Sequence, residues 1–67
     1  MPEILGSFDS RLKARRHREA LAAELGAQYY ASEDAYRYFR EGVERMMRVV
    51  RVEIGKDVLW QVVVEVK

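Results

Sequence analysis

Toward its C-terminal end the chain alternates. Val50, Val52 and Ile54 are separated by Arg51 and Glu53, and Val58, Trp60, Val62, Val64 and Val66 alternate with Leu59, Gln61, Val63, Glu65 and Lys67. A period of two puts successive side chains on opposite faces of a strand, and Gly55-Lys56-Asp57 between the runs is turn material. The pattern predicts a β-hairpin over 49–66. Its second strand is apolar on both faces, which reads as a strand covered on both sides or joined to another chain.

The period upstream reads as 3.6. Asp9 or Ser10 suits a helix cap, Ala14, Leu21 and Leu25 fall on one stripe with His17 at its margin, and Gly26 suits the stop. This predicts a helix over 10–25. A second start is Ser32-Glu33-Asp34, after which Ala35, Tyr36, Phe39, Gly42, Val43, Met46 and Val50 fill one arc. A second helix is expected over 32–47. Residues 1–9 read as an extended lead-in with a short edge strand at 3–5, since Pro2 and Gly6 interrupt anything longer. The expected fold is a single small α+β domain over 1–67, with two helices packed on a C-terminal antiparallel hairpin (α-α-β-β).

Length sharpens the reading of the doubly apolar strand. Sixty-seven residues without cysteine form a marginal core with no disulfide to staple it. A homodimer is expected, with Leu59 and Val63, on the second face of the last strand, as its interface. Trp60, aligned with Val58, Val62 and Val64, is expected to be the largest core side chain.

Charge adds a candidate surface. The net charge is only +1, yet residues 11–18, RLKARRHR, carry five fixed positive charges. In the segment 32–48 acids and arginines stand at i,i+4 and cancel: Glu33 with Arg37, Arg40 with Glu44, Glu44 with Arg48. In the first helix only Arg15 and Glu19 have that spacing, and Arg11, Lys13 and Arg18 have no local acid. Such a surplus fits an anionic partner. Nucleic-acid phosphates come first, contacted by Arg11, Lys13, Arg15, Arg16 and Arg18, with Tyr29 and Tyr30 as an exposed aromatic pair for stacking. An acidic protein docked by an adaptor or inhibitor is the alternative, and a merely solvated helix face is the third reading.

Residues 18–26, REALAAELG, resemble the first helix and turn glycine of a helix-turn-helix DNA-binding domain, with small Ala22 and with Gly26 four positions later. The resemblance spans nine residues and implies that a recognition helix follows, with the hairpin then placed as in winged helices. Ser32 departs from that pattern, standing where an apolar residue of the recognition helix is usual.

Catalysis is not expected: there is no Ser–His–acid arrangement, no phosphate-binding glycine loop and no metal-ligand spacing, so no catalytic residue, metal, cofactor or small-molecule substrate is assigned. With no basic leader before an apolar stretch and no apolar run of about 18 residues, no membrane association is expected, and the cytoplasm is the default location.

Overall fold

The computed structural model describes residues 2–66. In chain order it contains β1 (Glu3–Phe8), α1 (Arg11–Leu25), β2 (Gln28–Tyr30), β3 (Ala35–Arg40), β4 (Val43–Ile54) and β5 (Asp57–Val66). The strands form one antiparallel sheet in the order β1-β5-β4-β3-β2, and α1 packs on one face of it against β1, β4 and β5.

The fold remains α+β, but the expected α-α-β-β architecture is overturned. No second helix forms at 32–47; that segment is a turn, then β3, then the first part of β4. Two physical causes stand out. Residues 35–40 are AYRYFR, whose aromatics favour a pleated surface, and Tyr36 and Tyr38 share one strand face at period two just as Tyr36 and Phe39 would share one helix face. Glu41 and Gly42 both take positive φ, 55° and 74°, the geometry of a type I′ hairpin turn, so the chain reverses where a helix would continue. The ladder Arg40↔Val43 through Ala35↔Arg48 follows from that turn. The ion pair of Glu33 with Arg37, expected along a helix, forms across the β2–β3 turn instead. The helix-turn-helix likeness falls with the second helix: Gly26 closes α1 at φ 66°, and β2 follows.

The N-terminal strand is longer than expected. β1 runs to Phe8, pairs with β5 from Glu3↔Val64 to Phe8↔Trp60, and passes the interruption at Gly6 with a register shift. α1 begins at an N-cap Ser10, whose hydroxyl accepts from the Lys13 N–H at 3.1 Å. The C-terminal hairpin is present, and β4 extends it back to Val43.

One face of the sheet makes the core. Ala14 and Ala22 of α1 lie against Tyr38, Met47, Val62 and Val64, with Leu5, Phe8, Leu21, Tyr36, Val49 and Trp60 around them. The small helix residues let the helix approach the sheet closely. Trp60 is only partly buried; the largest fully buried side chains are Arg18, Met47 and Val62. The opposite face carries Ile4, Leu59 and Val63 with Val50, Val52 and Ile54, and α1 does not cover it. Val63, opposite Arg48 and Ile4, is nonetheless buried within the single chain, while Leu59 is half-buried.

β3 ends its pairing with β4 at Arg48, and β1 ends its pairing with β5 at Trp60. Beyond those points β4 and β5 continue as a two-stranded arm closed by the turn Gly55-Lys56. The molecule is elongated accordingly, 39 × 23 × 21 Å.

Candidate anion-binding face

Ser10 starts α1 at the base of the arm, so the basic run lies beside the arm and the β2–β3 turn. Its five charges have different environments. Arg11 is exposed, stands over the Trp60 ring with its guanidinium carbon 5.8 Å from the ring centroid, and lies 3.9 Å from an Asp34 carboxylate oxygen. Lys13, expected to lack a local acid, is exposed and pairs at 3.0 Å with Asp9, four positions before it and just ahead of the helix. This pairing and the Lys13 charge hold the Asp9 carboxyl below its ordinary value. Arg15 and Arg16 are exposed, and neither forms an ion pair among the described residues.

Arg18 differs from the rest: it is 1% exposed. Its Nη1 donates to the Asp34 carbonyl oxygen at 2.9 Å and to Asp34 Oδ1 at 3.3 Å. Its guanidinium also faces the rings of Tyr36 at 5.3 Å and Tyr29 at 5.9 Å. It fastens α1 to the β2–β3 turn and does not reach solvent. A charge run read along the sequence cannot separate Arg18 from Arg15. The separating signal is the alignment of position 18 with Ala14 and Ala22, which puts it on the helix's inner stripe.

Asp34 is the counterion that sequence reasoning did not assign. It takes a positive φ of 49°, which turns its carbonyl and carboxylate toward α1. The Tyr29 hydroxyl donates to its Oδ1 at 2.9 Å. That hydrogen bond is the largest cause holding the Asp34 carboxyl below its ordinary value; desolvation, next in size, opposes it, and the Arg18 charge and hydrogen bond and then the Arg15 charge add to the lowering. The same hydrogen bond, with desolvation, raises the Tyr29 phenol.

Tyr29 and Tyr30 do not form one stacking platform. They are successive residues of β2 and point to opposite faces. Tyr29 packs at 5.0 Å against Tyr36 on the helix side, and Tyr30 lies under the Arg37 guanidinium at 4.3 Å on the other. The aromatic beside the basic helix is Trp60, with Arg11 above it and Arg51 opposite it in register. His17 packs its ring 5.1 Å from Phe8.

Among the described residues, no three of His, Asp and Glu gather as a metal site would need, and no helix is long and apolar enough to cross a membrane. Comparison with protein-family models, with curated proteins and with solved structures gives no match.

Proposed function

We propose that this protein is a non-enzymatic nucleic-acid-binding module that grips phosphates with the exposed face of α1. Arg11, Lys13, Arg15 and Arg16 make the contacts, and Arg18 holds the helix in place from beneath. The observation that carries the reading is that Arg15, one helical turn from Arg11, and Arg16 beside it stand exposed without an ion pair among the described residues. The position of the charges supports it further. The first turn of α1 holds no acid, so Arg11 and Lys13 sit at the positive end of the helix dipole. That placement is unfavourable alone and is relieved by an approaching anion. Trp60, partly exposed beneath Arg11, offers an aromatic surface to a base beside the phosphates.

Phosphate contact of this kind releases counterions and is read mainly through its salt dependence. Fluorescence anisotropy of labelled single-stranded and duplex oligonucleotides, taken over a salt series, tests it. The wild type should bind at low salt with modest sequence preference. Changing Arg11, Arg15 and Arg16 together to Gln should make the log–log salt slope shallower by about two to three units, close to one per lost phosphate contact. A wild-type protein that binds no oligonucleotide at low salt overturns the proposal. If the same triple change then abolishes binding to an acidic protein, the face belongs to an adaptor or inhibitor.

A further inference from the structure

We infer that two copies of this chain join through the free edge of β4, pairing antiparallel about a two-fold axis at Val52 to make one continuous sheet. Residues 49–54 of β4 pair with β5 on one side and, among the described residues, with no strand on the other. Strand alternation fixes which backbone groups face that open side. The pairs flanking the two-residue turns, Arg40↔Val43 and Ile54↔Asp57, point their N–H and C=O groups at each other. Odd-numbered residues of β4 therefore address β3, and beyond β3 the groups of Val49, Arg51 and Glu53 address solvent.

Several two-fold registers use those groups, and those centred on Val49 or Val50 run back onto residues that already pair with β3. One centred on Arg51 sets arginine opposite arginine, and one centred on Glu53 sets glutamate opposite glutamate. The register centred on Val52 sets Arg51 opposite the partner's Glu53, and Glu53 opposite the partner's Arg51, in hydrogen-bonded pairs. Val52 meets the partner's Val52, and Val50 meets the partner's Ile54, on the face away from α1. Val50 and Val52 are half-buried and Ile54 is 56% exposed in the single chain, so this pairing covers apolar surface. It also needs only residues 50–54, within the length that β3 leaves open. Charges on a free edge usually prevent association. Here Arg51 and Glu53, already an ion pair within one chain, are self-complementary under a two-fold axis.

The expected dimer is thus retained as a proposal with a different surface. Val63 is already buried within one chain and cannot supply the contact, whereas the β4 edge is open. The arrangement also puts both α1 helices on the same side of the joined sheet.

Charge exchange tests the register. Light scattering over a dilution series, with circular dichroism to check folding, should show a wild-type dimer. Arg51→Glu alone and Glu53→Arg alone each set like charges opposite and should weaken dimerisation about tenfold or more. The double exchange, Arg51→Glu with Glu53→Arg, should restore it. An equimolar mixture of the two single variants should form heterodimers, since one chain then carries two acids and the other two bases. A wild type that scatters as a monomer throughout the series overturns the inference. So does a dimer that both single variants leave intact, or one lost on changing Leu59→Lys but indifferent to charge exchange. None of these readouts depends on nucleic-acid binding.

Discussion

Replacing Arg18 separates a structural arginine from the binding arginines around it. The side chain is fully buried, donates twice to Asp34 and lies against two tyrosine rings. Truncation to Ala removes a long side chain from the helix–sheet interface. Comparable deletions of buried Met or Leu cost about 2–5 kcal/mol, through lost contacts and the cavity left behind. The lost hydrogen bonds add little more, because Asp34 is about half exposed and water can replace the guanidinium there. We expect about 3 kcal/mol for Arg18→Ala, a large share of the roughly 3–10 kcal/mol that a chain of this length has in total. Arg18→Met keeps most of the volume. It loses two hydrogen bonds but also removes a buried Nε that has no partner among the described residues, so the net cost should be about 1 kcal/mol. Arg15→Ala and Arg16→Ala, on the exposed side, should stay within about 0.5 kcal/mol. Urea unfolding followed by Trp60 fluorescence, at one protein concentration, measures all four. In thermal unfolding, a 3 kcal/mol loss should lower Tm by about 12–24 °C. If Arg18→Ala melts with Arg16→Ala, the buried fastening is refuted.

Further outcomes follow from the same structure. The Asp34 carboxyl is held below its ordinary value in the fold, so its contribution is present above the unfolded pKa and fades as pH falls through the lower folded value. Asp34→Asn should therefore be less stable than wild type at neutral pH, with the gap narrowing below about pH 4 in acid denaturation curves. Gly42→Ala, at φ 74° with open space around the added carbon, should cost about 1–2 kcal/mol from backbone strain alone. Glu41→Asn, at φ 55° in the same turn, should stabilise by some tenths of a kcal/mol or more; equal melting of both variants and wild type would show that this turn is not the I′ reversal. Gly6→Ala puts a Cβ 2.9 Å from the Phe8 ring and 3.4 Å from His17, and should cost about 1–3 kcal/mol in chemical denaturation as those rings move.

The sequence by itself determined the elements whose pattern has one reading. Alternation from Val50 to Val66 around Gly55-Lys56-Asp57 reads as a hairpin, and the structure narrows the turn to Gly55-Lys56. The stripe Ala14, Leu21, Leu25, with Ser10 before it and Gly26 after it, makes a helix whatever surrounds it. The excess of base over acid at 11–18 is equally local, and four of its five charges, Arg11, Lys13, Arg15 and Arg16, lie at the surface while Arg18 is buried. Residues 35–47 carry both periods at once, and neighbours decide between them. As a strand, 45–48 pairs with β5 on one side and with β3 on the other, so its backbone groups are satisfied across the sheet and its side chains join both faces. The four-residue spacing of Ala14, Arg18 and Ala22 marks position 18 as belonging to one stripe, but only the tertiary structure decides that this stripe faces the sheet and that the positive φ at Asp34 brings a carbonyl and a carboxylate to meet the buried guanidinium. That meeting joins residues sixteen positions apart. It depends on the path of the chain from Gly26 back along β2, which no local pattern specifies.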